Sequence, residues 1–226
     1  MDGGAACAGF MSALSSGVQF GATGAARHVL VIGADTNTRV LNPNDKKTFP
    51  LFGDGAGAVV LSPGGEEQGV LAGTLGADGT GADLLTRRMG GVERPFSTNG
   101  DAAADADGRL PWLMEMDGRP VFKWAVRLLE DTFEHVLSAA ERERDDAKLW
   151  LLHQANARIL DAATDSMGVP RDRVVKHLDR YGNTSAGSIP IALDESLKEG
   201  RIAPGDELLM CGFGAGLSWG TALWRW

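Results

Sequence analysis

A chain of 226 residues with 43% apolar and 23% charged residues has enough apolar material for a sizeable core and is far too hydrophobic for a disordered polymer. Its formal charge of −8 argues against general nucleic-acid binding, which needs clustered Lys and Arg in excess to neutralise phosphates. The longest apolar run, Val29 to Ile32, falls far short of the ~20 residues a membrane helix requires.

Taken in chain order, the small and apolar residues from about Cys7 to Phe20 predict a first helix, stopped by the glycines at 21 and 24. HVLVIGAD, residues 28–35, predicts a buried strand, and NPNDKK a polar loop. FGDGAG leads into a strand over AVVLSP, and GVLAGTLGAD, residues 69–78, into another. Residues 79–111 show no period, with TNGDAAADADGRLP reading as a long loop. A helix is expected over about Arg119 to Arg142. KLWLL then forms a strand that delivers His153 at its end, and ANARILDAATDSMG a helix closed by Gly168. SAGSIPIALDESLKEG suits a helix that tolerates Pro190 near its first turn, while DELLMCGFG and SWGTALWRW finish the chain as strands. Helices alternating with buried strands indicate a layered α/β architecture.

The chain also repeats itself. CAGFMSALSSG from Cys7 lies over SAGSIPIALDE from Ser185 at an offset of 178, and at the same offset HVLVIGAD lies over DELLMCGF. FGDGAGAVVL is echoed by FGAGLSWGTALW. The repeat suggests two related halves, divided here as 1–111 and 112–226, set against chance similarity between small-residue segments.

The two cysteines, Cys7 and Cys211, provide neither a disulfide framework nor metal-ligand spacing. MDGGAAC has neither the charged start nor the apolar run of a secretory signal, so a reducing cytoplasm is expected. Cys211 falls inside an apolar strand and reads as packing. Cys7 stands at a helix N-terminus, where unpaired N–H groups and the helix dipole favour a thiolate, yet a free cysteine is also commonly just a small buried hydrophobe. His153 past a strand end and Asn183 in a glycine-flanked turn are candidate partners, brought to Cys7 if the halves meet by pseudo-symmetry. His28, His135 and His177 read as a strand edge, a helix face and a loop. The glycine clusters at 53–57 and 212–216 match no nucleotide-binding pattern and suit tight turns.

AACAGF, FGDGAGAVVL, EMDGRPVFKWAV, HQANARI, GNTSAGSIPIAL and GFGAGLSWG, in this order over nearly the whole chain, resemble the β-ketoacyl-[acyl-carrier-protein] synthase III family of the thiolase-like superfamily. The resemblance implies a layered αβαβα fold of two pseudo-symmetric halves. It implies Cys7 as the nucleophile that takes an acyl group from acyl-CoA, with His153 and Asn183 assisting a decarboxylative condensation with malonyl-acyl carrier protein. It further implies backbone donors at Cys7 and Ala215 for an oxyanion, CoA contacts at Lys46 and Asn156, carrier-protein docking at Lys123 and Arg158, no cofactor beyond acyl-CoA as substrate, and a homodimer in the full-length form.

Four departures qualify it. Ala215 stands where many relatives have glycine, and Asp165 where some have lysine. The stretch from Arg94 to Leu110 reads as an insertion. Family members carry about a hundred residues ahead of the nucleophile, whereas Cys7 is preceded by MDGGAA. An incomplete N-terminal half is therefore expected, as a fragment, a misplaced start or a truncated product, with unpaired strand edges and poor solubility or no activity for these residues alone. Two alternatives stand beside condensation: acyl transfer without decarboxylation, and an inactive structural subunit.

Overall fold

A computed structural model describes residues 1–65, 67–92, 94–96 and 110–226. The segment TNGDAAADADGR, and with it most of the expected insertion, lies outside the described residues.

In chain order the elements are α1 (Gly9–Ala22), β1 (Val29–Asp35), β2 (Gly55–Leu61), β3 (Gly69–Ala77), the two-residue strands β4 (Leu85–Thr86) and β5 (Glu115–Met116), α2 (Gly118–Ala139) and β6 (Ala147–Leu152). There follow α3 (Ala157–Ser166), a single turn α4 (Leu178–Tyr181), α5 (Ser188–Lys198), β7 (Glu207–Gly214) and β8 (Ser218–Arg225). Short 3-10 turns at Ala6–Ala8 and Ser185–Gly187 precede α1 and α5. Cys7 thus lies in a tight turn ahead of the first α-helix rather than within it.

The strands form two principal sheets. One is the antiparallel pair β1–β2; the other runs β3-β8-β7-β6, with β6 and β7 parallel and the remaining pairs antiparallel. Because β3 hydrogen-bonds along β8, the sheets part between β2 and β3, earlier than the division at residue 111 that the sequence suggests.

All eight residues of β7 are buried, as expected of a strand covered on both faces. Its alternation assigns the two cores. Leu209, Cys211 and Phe213 face α2 and α3, with Leu129, Phe133, Val136, Trp150 and Leu160. Leu208 and Met210 face α1 and α5, with Phe10, Leu14, Ile189 and Leu193. The first core is anchored by Phe133 edge-on to Trp150, ring centroids 4.9 Å apart. The second is closed by Val31 of β1 and, partly buried, Val59 and Leu61 of β2. The order of layers is helices, sheet, helices, sheet. No helix among the described residues is long and apolar enough to cross a membrane.

On the far side of the β1–β2 pair, Leu30 is 60% exposed, Ile32 55% and Val60 63%.

The repeat is real in three dimensions, but its register differs by one residue. The 3-10 turns begin at Ala6 and Ser185 and the helices at Gly9 and Ser188, so Cys7 corresponds to Ala186, and Ser185 to Ala6. The backbone agrees: Ala6 and Ser185 are non-glycine residues at positive φ, 43° and 53°. Only small residues allow the halves to approach here. A Cβ on Gly33 would lie 2.3 Å from the Ala186 carbonyl oxygen, and one on Gly212 3.2 Å from that of Cys7.

Gly33→Ala is expected to destabilise the protein by about 1–3 kcal/mol or more through this backbone clash. Gly21→Ala, in exposed helix with nothing within 4 Å, should stabilise it by about 0.5–1 kcal/mol. Urea unfolding of both variants checks the pair.

Candidate active site

The site forms where the two 3-10 turns meet. Cys7 is 6% exposed, and its chain is pressed against β7, where a Cβ on Gly214 would lie 2.7 Å from the cysteine Cβ and 3.1 Å from Sγ. Across the pseudo-twofold, the position corresponding to Gly214 is occupied by Asp35, whose Oδ2 accepts from the Ala186 N–H at 3.0 Å. One half places a carboxylate where the other leaves room for a thiol.

Ser185 joins the reactive groups. Its hydroxyl donates to Cys7 Sγ at 3.3 Å, and its N–H donates to Asn183 Oδ1 at 2.9 Å. His153 reaches it through Ser188, whose Oγ lies 3.1 Å from His153 Nδ1 and 2.8 Å from the Ser185 carbonyl oxygen. Cys7, His153 and Asn183, read from distant parts of the sequence, therefore meet on the segment from Ser185 to Ser188, His153 through Ser188.

Each is held by local structure. His153 follows β6, its N–H donating to the Cys211 carbonyl at 2.8 Å, its Nδ1 3.1 Å from Ser188 Oγ, and its ring edge-on to Phe213 at 5.2 Å. Gln154 secures the strand end: its Nε2 donates to the Leu152 and Val175 carbonyls while its Oε1 accepts from the His177 N–H. Gly182, at φ 66°, turns the chain from α4 into Asn183. There Asn183 N–H donates to the Leu51 carbonyl, and the Asn183 carbonyl accepts from Gly53 N–H. The FGDG segment of the first half thus clamps the asparagine of the second. With Oδ1 taken by Ser185, the Asn183 Nδ2 group is what it offers as donor.

Electrostatics depart from the sequence reading at Cys7. Burial pushes the thiol up to about 11, the Asp35 charge adds to this, and the Ser185 hydrogen bond opposes it. The helix-end thiolate expected from position alone is corrected to a neutral thiol, because desolvation in this small-residue crevice outweighs the dipole. Burial pulls His153 down to about 3, so the imidazole is neutral near pH 7. Cys211, donated to by Thr221 Oγ1 and pushed up to about 12, is inert packing.

Ala215 follows β7 directly, in a turn fixed by paired bonds between Asp78 and Leu217 and by Ser218 Oγ donating to the Ala215 carbonyl. These engage its carbonyl and not its N–H. A cavity of about 860 Å³ opens beside this turn, lined by Ala5, Ala6, Leu75, Ala215 and Leu217 among others. Lys46 is exposed on the loop leading to Phe52. Asn156 caps α3, its Oδ1 accepting from Arg158 N–H at 2.9 Å. Lys123 and Arg158 are exposed on the packed pair α2 and α3. None of these four touches the Cys7 cluster. Sequence reasoning missed Ser188 and Gln154 and read His177 as a loop residue; His177 is buried, its Nε2 donating to the Ser188 carbonyl at 3.0 Å.

Two half-folds that place a cysteine turn, a strand-end histidine and an asparagine turn at their junction define a thiolase-like protein. Residues 1–79 match 3-oxoacyl-[acyl-carrier-protein (ACP)] synthase III, and residues 137–226 match the C-terminal part of that family. The chain is 48% identical to the β-ketoacyl-[acyl-carrier-protein] synthase III of Rhodopirellula baltica, covering 100% of this chain and 69% of that one. Identity is 45% to the same protein of Desulfitobacterium hafniense, covering 98% and 65%. Among solved structures, that of β-ketoacyl-[acyl carrier protein] synthase III from Thermus thermophilus superposes with a TM-score of 0.87 at 39% identity, covering 98% and 66%. The priming β-ketosynthase of the R1128 polyketide pathway superposes with 0.85 at 36% identity, covering 98% and 64%. This chain belongs to the β-ketoacyl-[acyl-carrier-protein] synthase III family, and it spans about two thirds of the length of the relatives it matches.

A histidine that is neutral when folded and free to protonate when unfolded makes the protein weaker as pH falls. Between the ordinary value of 6.5 and about 3, the unfolded chain binds the proton and the folded one does not. Stability is expected to fall by up to about 1.4 kcal/mol per pH unit in this window from His153 alone, and His153→Gln should remove that part of the slope in denaturant titrations.

Proposed function

We propose that this chain carries the condensing centre of a β-ketoacyl-[acyl-carrier-protein] synthase III whose full-length form acts in the cytoplasm as a homodimer, at the priming step of fatty acid or polyketide synthesis. The convergence of Cys7, His153 and Asn183 on the segment from Ser185 to Ser188 carries this reading.

In the first half-reaction, Cys7 sulfur attacks the thioester carbon of acyl-CoA. The bond to the CoA sulfur breaks, and the CoA thiol leaves with a proton equivalent to the one Cys7 gives up. Charge on the acyl oxygen is met by the N–H groups of Cys7 and Ala215, each worth ~3 kcal/mol to such a transition state. Lys46 and Asn156 bind the CoA moiety.

In the second, malonyl-acyl carrier protein, guided by Lys123 and Arg158, loses CO2, and the electron pair of the broken C–C bond becomes an enolate. Asn183 Nδ2 and an imidazole N–H of His153 hold the enolate oxygen; a neutral ring can do this without taking up a proton. The carbanion carbon attacks the acyl-Cys7 carbon, and the thioester breaks to release the 3-oxoacyl product. The Cys7 sulfur regains a proton, the one proton the overall reaction consumes.

Incubation with acyl-CoA should add one acyl mass to the wild type and none to Cys7→Ala, read by intact-protein mass spectrometry. His153→Ala and Asn183→Ala should each lower CO2 release from malonyl-acyl carrier protein by about 100-fold or more while acylation persists. An acylated protein that transfers its acyl group to other acceptors and never releases CO2 would instead identify a non-decarboxylating acyltransferase.

A further inference from the structure

Ser185 has no role in the two half-reactions, although it touches the reacting sulfur. It is 5% exposed and opens the 3-10 turn before α5 at φ 53°, a conformation that disfavours any residue but glycine. All of its polar groups are directed into the site. The hydroxyl is 3.3 Å from Cys7 Sγ, the N–H is on Asn183 Oδ1, and the carbonyl accepts from Ser188 Oγ at 2.8 Å.

The chemistry of the sulfur gives that hydroxyl a task. A neutral thiol or a thioester sulfur is a weak acceptor, whereas a thiolate is a strong one. Sulfur carries negative charge twice in the cycle: as the nucleophile when Cys7 gives up its proton, and as the leaving group when the acyl-Cys7 bond breaks. A donor fixed on Sγ is therefore worth more at these two moments than in the resting or acylated states.

Resting on the condensing-enzyme reading, we propose that Ser185 is a catalytic residue whose hydroxyl donates to the Cys7 thiolate as it forms on acylation and as it departs on condensation. The other ionisable groups around Sγ do not substitute for it. Asp35, on β1, carries the charge that disfavours the thiolate, and His153, after β6, is neutral. The second of these half-reactions leaves the thiolate to be reprotonated, so the hydroxyl stabilises an anion and neither gains nor loses a proton over the cycle.

Ser185→Gly tests this cleanly. Glycine adopts φ 53° without strain and keeps the N–H that orients Asn183, so the hydroxymethyl group alone is lost. Iodoacetamide modification of Cys7, followed by peptide mass spectrometry across pH 7–11, is expected to shift upward by about one pH unit, with about tenfold slower reaction at pH 8. Cys211 serves as the unreactive internal reference. Ser185→Ala, with the same lost hydroxyl and retained Cβ, should shift equally. Acylation by acyl-CoA should slow in parallel with alkylation in both variants. A pH profile that matches wild type in a folded Ser185→Gly protein would overturn the proposal. If the shift occurs but wild-type Cys7 takes no acyl group, the thiolate donor stands and the condensing-enzyme reading fails. If wild-type Cys7 is acylated and the profile does not shift, the thiolate donor fails and the condensing-enzyme reading stands.

Discussion

The contact on which this structure depends is the close approach of two backbone turns, one from each half, across the pseudo-twofold. It exists only because Gly33, Gly212 and Gly214 leave no side chain between strand and turn. Packing density in a protein interior leaves little slack, so an added methyl at any of them has nowhere to go. The same closeness puts Ser185 against Cys7 and Asn183. The glycines are thus structural in their immediate effect and chemical in their consequence.

Burial decides the resting protonation of the site. Desolvation acts on the thiol and the imidazole in the same sense, favouring the neutral form of each, and the polar contacts around them oppose it only in part. A neutral pair is stable while waiting, and negative charge arises at sulfur or at an oxygen only in the course of reaction. Donors placed beforehand then act without reorganising, which is where electrostatic catalysis gains most.

Much of this was legible from residues alone. Strand and helix positions followed from apolar runs bounded by glycine, as in Glu207–Gly214, where eight buried residues leave little choice. Cys7, His153 and Asn183 stood out by type and placement. What escaped had identifiable causes. The repeat looked one residue shorter because side-chain likeness pairs Cys7-Ala8-Gly9 with Ser185-Ala186-Gly187, whereas backbone conformation pairs Ala6 with Ser185. The thiol's neutrality is set by desolvation, which depends on what packs around it and not on helix position. The division between sheets fell earlier than expected because β3 pairs with the last strand of the chain, a partnership no local pattern encodes. Ser188 and Gln154 are small or polar residues in unremarked surroundings, and only their buried bonds give them meaning.

The unlike occupants at the matching positions Asp35 and Gly214 bear on ancestry. If the halves descend from one duplicated unit, the original pair would have had two equivalent crevices facing each other. An acidic side chain now plugs one of them and bonds Ala186, where the other half has its cysteine. Divergence at two sites is enough to turn a symmetric arrangement into a single reactive centre, freeing the second copy to furnish histidine, asparagine and serine as accessories to the first.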